Sequence, residues 1–329
     1  MKKIILFLFF LPLLAVGQSH ESRIKTIYDT ELSSGHTYDN LRYLCKEIGN
    51  RLSGSPGAAA AVDWTKQLME SYGFDTVYLQ PVMVPHWERG GTDVVRIVNS
   101  KKQGTIELAS LALGNTQGTG SKGLLGQVVE VKGLAGLQAL GSQVRGKIVF
   151  FNGPMDPTKV DAFEAYSGAV GQRGSGAAEA AKFGAIATVV RSMNNRVDGY
   201  AHTGNQRYAP NVTAIPALAI STKDAELLSS LLADQADLQL YLESHGEMKS
   251  EKLSYNVIGE LRGTEKPEEI IAIGGHLDSW DVGEGAHDDG AGCMQGIEVL
   301  RLYKQLGWKP KRTLRAVMWM NEENGLRGG

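Results

Sequence analysis

Cysteine is nearly absent from this chain: Cys45 and Cys293 are the only two in 329 residues. Two thiols do not make a disulfide framework. Each falls in a stretch of helical patterning, so both read as buried free thiols. Net charge is equally slight, −2 from 34 basic and 36 acidic side chains. That balance removes the electrostatic case for a nucleic-acid partner or an anionic membrane. Past residue 17, no apolar run approaches the ~20 residues that a membrane-spanning helix needs. No G-x-S-x-G occurs, and no motif sets a histidine beside either cysteine, so serine- and cysteine-based catalysis are weakly supported. Internal repeats and low-complexity tracts are missing too.

What is present begins with a leader. Lys2 and Lys3 precede an apolar run over 4–14, and Ala15, Val16 and Gly17 are the small residues for cleavage before Gln18. This is the pattern of a secretory signal peptide, and its apolar run is short for a membrane span. A secreted or periplasmic protein without a membrane anchor is expected. Roughly 310 residues remain, enough for two domains or one domain with an insert. Hydrophobic residues make up 42% and charged residues 21%, an ordinary globular balance.

The chemistry gathers in two pieces. Residues 274–292 read GGHLDSWDVGEGAHDDGAG, and residues 319–325 read WMNEENG. The apolar run 270–273 before the first piece reads as a buried strand. In an extended segment residues i and i+2 face one side, so His276 and Asp278 can act together. A metal-binding imidazole usually gives its second N–H to such a carboxylate. Asp288 and Asp289 follow inside a glycine-rich segment that allows sharp turns and close approach. A helix is expected over 292–306 and a strand over 313–320, ending at Glu322 and Glu323. Neighbours on a strand face opposite ways, so both glutamates reach one site only if the strand breaks. Asn321, Asn324 and Gly325 favour that break. The result is strand, loop, helix, strand, with polar groups at the carboxyl ends of the strands, where open α/β sheets carry their sites. One imidazole among several carboxylates, with no balancing Lys or Arg cluster, suits zinc or another borderline first-row ion.

These two pieces resemble the co-catalytic dizinc exopeptidases of the aminopeptidase type, most nearly their carboxypeptidase branch, over most of the chain after the leader. The resemblance implies an α/β fold of zinc-exopeptidase (phosphorylase/hydrolase-like) type, a mixed sheet flanked by helices. It implies two zinc ions, with His276 binding one, Asp288 bridging both and Glu323 binding the other. Glu322 would be the general base for an attacking water, and Asp278 would orient the imidazole. A cis peptide between Asp288 and Asp289 is also implied. The family pattern has two further ligands, an Asp about one βα unit after the glutamate pair and a later His. Neither lies before Gly329, so a C-terminally truncated chain with part of the site is expected.

Earlier segments agree with that resemblance. Two helices are expected over 19–50, with apolar faces Ile24, Ile27, Leu32 and Leu41, Leu44, Ile48. The loop RLSGSPG (51–57) leads to a helix over 58–72 closed by Gly73, and this order resembles the family's opening. Strands over 77–84 and 93–98 read as a pair joined by PHWERGG. Residues 114–245 differ in texture, with short β-like runs at 128–131, 147–151, 186–190, 217–220 and 238–242 and helices over 177–183 and 223–233. VRGKIVFFN (144–152) and FGAIATVV (183–190) resemble a β-rich protease-associated insert, a domain without catalytic chemistry of its own. The catalytic domain would then be discontinuous, 18–113 and 246–329.

Other histidines read less strongly. His86 has a choice between the cleft and a structural role. His202 and His245 lack ligand partners nearby and read as surface or packing residues. His287 adjoins Asp288 but must point elsewhere, and the family does not use this position. The expected function is hydrolysis of short peptides or dipeptides. Two alternatives stand beside it: a binding or assembly protein with an incomplete site, and hydrolysis of another amide on the same metal core. The peptide substrate is the expected partner, and a homodimer is compatible with the pattern.

Overall fold

The structure, a computed structural model, describes residues 20–329. The leader over 1–17 lies outside the described residues. Helices α1 (His20–Ser34) and α2 (Thr37–Tyr43) come first, the second running into a wide turn at Leu44–Ile48. Helix α3 (Pro56–Ser71) follows, then strands β1 (Thr76–Glu88), β2 (Val94–Ser100), β3 (Gly104–Leu108), β4 (Ser110–Ala112) and β5 (Leu124–Val131). The middle alternates: α4 (Gly133–Leu140), β6 (Ile148–Phe151), α5 (Ala162–Ala169), α6 (Gly171–Gly174), α7 (Gly176–Lys182), β7 (Ala187–Arg191), β8 (Ala217–Ile220), α8 (Thr222–Asp234) and β9 (Gln239–Glu243). The chain then forms β10 (Glu247–Leu261), β11 (Lys266–His276), α9 (Ala291–Gln305) and β12 (Arg312–Trp319).

Two sheets result. The first is four-stranded, in the order β1-β10-β12-β11. Within it β10 runs antiparallel to β1 and β12, while β11 and β12 are parallel. Helix α3 packs on this sheet through Ala58, Ala61, Val62, Thr65 and Met69, a helical spacing that makes one buried stripe. Ser55 accepts a hydrogen bond from the Ala58 amide at 3.1 Å and Pro56 opens the first turn, so the start of this helix is locally encoded. Gly259 on β10 leaves room for the helix: a Cβ there would lie 2.7 Å from Phe74 and 2.8 Å from the Met69 sulfur.

The second sheet is eight-stranded, in the order β3-β2-β9-β5-β6-β7-β8-β4, with β5 to β8 parallel. Its central strands are buried on both faces, as a helix-covered parallel sheet requires. Ile148 and Phe150 enter one core cluster, and Val149 and Phe151 enter the other. That is the period-2 alternation of a strand with two apolar sides.

Three expectations are corrected. The strands expected over 77–84 and 93–98 do not pair. β1 pairs with β10, and β2 pairs with β3 and β9 in the other sheet. Gly90, at φ +78, packs against the His245 backbone and turns the chain between the sheets. The strands over 94–112 therefore lie in the second sheet. The run 270–273 is not a buried strand: Ile270 and Ile271 are about half exposed, because β11 is an edge strand among the described residues. Helix α1 forms, but Ile24 and Leu32 are exposed and the helix buries no residue. Both cysteines are free and buried, as their helical setting predicts.

Candidate metal centre

The parallel register sets His276 on β11 opposite Trp319 on β12. Both strands end at the same edge, so the residues just past them converge. One candidate ligand atom each from His276, Asp288 and Glu323 lies within 4.8 Å of the others. The three sequence candidates for metal binding are thus brought together, and a mixed imidazole–carboxylate set suits zinc. The peptide bond between Asp288 and Asp289 is cis.

Two of the three candidate ligands are held from behind. His276 Nδ1 donates to the backbone carbonyl of Asp278 at 3.0 Å, which turns Nε2 toward Asp288 Oδ1 at 2.8 Å. The Asp278 carboxylate is farther from the ring, 3.7 Å. It is fully buried, and its main work lies elsewhere. Oδ1 accepts from the Asn321 and Glu322 amides at 2.8 and 3.0 Å, and Oδ2 accepts from the Glu323 amide at 3.1 Å. The carboxylate expected to steer the imidazole therefore also fixes the turn that carries both glutamates. Asn321 breaks the strand in the left-handed region, φ +75. Its side-chain amide donates to Ser53 Oγ at 2.7 Å and to Asn324 Oδ1 at 2.6 Å.

Asp289 points away from the ligand cluster. Its two oxygens accept from the His276 amide and the Gly292 amide, each at 3.1 Å. A Cβ on Gly275 would sit 2.1 Å from Asp289 Oδ2. That glycine is therefore required for the carboxylate to tie the strand end to the start of α9.

Sequence reading missed Arg51. It is fully buried, and it donates to the carbonyls of Leu277 at 2.5 Å, Glu284 at 2.6 Å and Gly285 at 2.8 Å. Its guanidinium staples both ends of the loop between His276 and Asp288. Burial lowers its pKa from the usual arginine range. The only local signal was an arginine opening the turn-rich loop 51–57. Arg89 makes a second link: it pairs with both oxygens of Asp281 at 2.7 and 2.9 Å and with Asp93 at 2.9 Å. Next to Asp281, Trp280 lies so close to Gly114 that a Cβ there would be 2.1 Å from the indole.

Electrostatics follow from crowding. Burial opposes the charged form of His276, but bonds to Asp278 and Asp288 outweigh it and push its pKa up to about 11. Burial and then the negative charge of Asp288 push Glu323 up to about 8. Glu322 is raised as well, by partial burial and by the neighbouring carboxylates. Asp288 is lowered by its bond to His276.

The site opens on a cleft of about 780 Å³. His276, Asp288, Glu322 and Glu323 line it together with Tyr166 and Arg173 from the second sheet's side of the molecule. His287 also lines the cleft but stands outside the ligand triad. His86 is buried, with Nε2 3.0 Å from Glu88 and its ring packed on Gly54, a structural setting. His202 is held by its backbone amide to Ser192, and His245 lies 3.4 Å from Glu243. No helix of the described residues is long and apolar enough to cross a membrane.

Residues 256–329 match the sequence profile of peptidase family M28. The chain is 38% identical over 310 residues to carboxypeptidase Q of Xenopus laevis and 37% identical over 293 residues to carboxypeptidase Q of Homo sapiens. These matches cover 93% and 89% of this chain but 64% and 60% of those proteins, so the chain spans less than two thirds of their length. Among solved structures, a peptidase M28 precursor from Shewanella amazonensis is 38% identical, with a TM-score of 0.87 over 94% of this chain and 69% of that one. A zinc aminopeptidase from Bacillus subtilis, 20% identical with a TM-score of 0.60 over 87% of this chain and 61% of that one, shares the fold.

Proposed function

The chain belongs to peptidase family M28, and on that premise we propose that it is a zinc-dependent exopeptidase of short peptides or dipeptides, with Glu322 as general base. The observation that carries this reading is the convergence of His276, Asp288 and Glu323 within 4.8 Å, with Glu322 beside them on the cleft wall. These three residues would hold zinc. Zinc there supplies a Lewis acid for the scissile carbonyl and lowers the pKa of water toward neutrality.

The chain's own groups account for the rest. The Nδ1 contact to the Asp278 carbonyl leaves Nε2 of His276 as the ligand nitrogen. Glu322 takes a proton from the attacking water and returns it to the leaving amine. Partial burial and the neighbouring carboxylates raise its pKa, which makes it a stronger base than a free carboxylate. Asp278 holds the 321–323 backbone, so it aims the base and a ligand at once. Residues 114–245 are read as an insert of protease-associated type, with strands at 94–112 completing its sheet. The leader over 1–17 points to action in a secreted or periplasmic setting.

The test is made on the intact protein. Glu322→Gln should cut dipeptide turnover by about 10²–10⁴-fold while zinc content stays at the native level. Asp288→Ala should lose zinc. Near-native turnover in the Gln variant would remove Glu322 from the mechanism, and hydrolysis unaffected by chelation would remove the metal.

A further inference from the structure

The cleft is chemically two-ended. The end formed by residues 276–323 carries Asp288, Glu322 and Glu323, while the end formed by residues 155–207 carries Arg173 and Arg207. The largely buried arginines Arg89, Arg301 and Arg191 have carboxylate partners, Asp93 and Asp281, Glu298, and Glu226, although Arg191 Nε, like Arg173 Nε, makes no hydrogen bond. Arg173 and Arg207 have no carboxylate within ion-pair reach among the described residues. Arg173 Nε is buried and makes no hydrogen bond. An unsatisfied, buried guanidinium N–H costs free energy unless a ligand meets it.

Arg173 is also held in place. Its Nη2 donates to the Tyr166 hydroxyl, and its guanidinium lies over the Tyr166 ring, 5.3 Å from the centroid. Gly204 leaves space for the guanidinium: a Cβ there would stand 2.5 Å from Arg173 Cζ. The Arg207 amide donates to the Gly174 carbonyl at 2.9 Å, so the two arginines sit on neighbouring backbone. A fixed, planar, uncompensated guanidinium in a cleft is suited to bidentate carboxylate recognition.

We propose that Arg173, supported by Tyr166 and with Arg207 beside it, is the specificity residue that binds a substrate carboxylate. This rests on the peptidase reading above and adds to it that the enzyme reads the acidic end of a short peptide across the cleft. The carboxylate has two possible sources, the free terminus or an acidic side chain of the last residue.

Three probes separate them: a neutral dipeptide as free acid, the same dipeptide as its C-terminal amide, and a dipeptide amide ending in glutamate. Binding is followed by calorimetry on intact protein treated with chelator, and hydrolysis on the zinc-loaded protein. Native protein should bind one of the two acids, the free acid or the glutamate amide, at least about tenfold more tightly than the neutral amide. Arg173→Met should erase that ratio and raise KM for the acid far more than it changes kcat. Arg173→Lys should restore part of it, and thermal melting shows whether either variant is folded. Tight binding of the glutamate amide assigns the carboxylate to the side chain, and weak binding assigns it to the terminus. Equal affinity of native protein for all three probes overturns the proposal, as does an acid-to-amide ratio unchanged in a folded Met variant. Absence of hydrolysis with the binding ratio intact overturns the peptidase reading and leaves the anchor standing.

Discussion

In the eight-stranded sheet, β6, β7 and β8 bury every residue, and apart from Thr188 and Arg191 all of these are apolar. At the carboxyl ends of β11 and β12, by contrast, the buried residues include Arg51, Ser53, Asp278, Asn321 and Asn324, none more than 2% exposed. The first region is held by contacts that many apolar side chains could make. The second is held by a polar network in which each member satisfies another, so removing one strands the rest. The candidate metal cluster lies in the second, where side chains are aimed from behind by hydrogen bonds, which aim better than apolar packing does.

The largest break in this contrast should come from Asp278→Ala. Three backbone amides lose their acceptor, which costs about 1–3 kcal/mol or more of stability, and zinc affinity should drop about 10–100-fold as Glu322 and Glu323 lose their aim. Phe150→Ala in β6 should cost as much or more stability, about 3–5 kcal/mol, yet leave zinc affinity of the folded fraction native. Melting curves with zinc titrations on both variants decide it. Equal loss of zinc affinity in the two would show that the regions are not separable.

A second break concerns protons. Without metal, His276 is held at about 11 and Glu323 at about 8. At pH 7 both therefore carry a proton that a metal must displace, and affinity should rise with pH. Calorimetry in buffers of different ionisation enthalpy should count about two protons released at pH 7 and about one at pH 9. No release at pH 7 would contradict the crowding described here.

The smallest effect sharpens the contrast by vanishing across it. Ser55 caps α3 at 3.1 Å and Ser221 caps α8 at 3.0 Å. Ser55→Ala and Ser221→Ala should each cost about 1 kcal/mol, because a cap acts within one turn whichever sheet its helix covers. Chemical denaturation reads both, and a several-fold difference between them would mean that one cap also serves the site.

Much of the site was legible because its residues lie close in sequence. His276, Asp288, Glu322 and Glu323 sit on a strand–loop–helix–strand unit whose period and breakers mark where each side chain must emerge. Cleft membership of Arg173 was invisible, since a helical arginine amid glycine and alanine looks like any solvated charge. Arg51 was invisible for the same reason: its acceptors are carbonyls at 277, 284 and 285, which carry no sequence signal at all.

By itself, then, the sequence determined the local order of elements from 266 to 329, the candidate ligand types and the lack of a disulfide framework, because dihedral preference and apolar period act over a few residues. Only the tertiary structure decided that β1 leaves β2 for β10, that Asp278 clamps the glutamate turn, and that an arginine from the second sheet's side lines the same cleft as the candidate ligands. Those outcomes depend on which distant surfaces meet, and the free energy of meeting is shared by residues that no window of the chain contains.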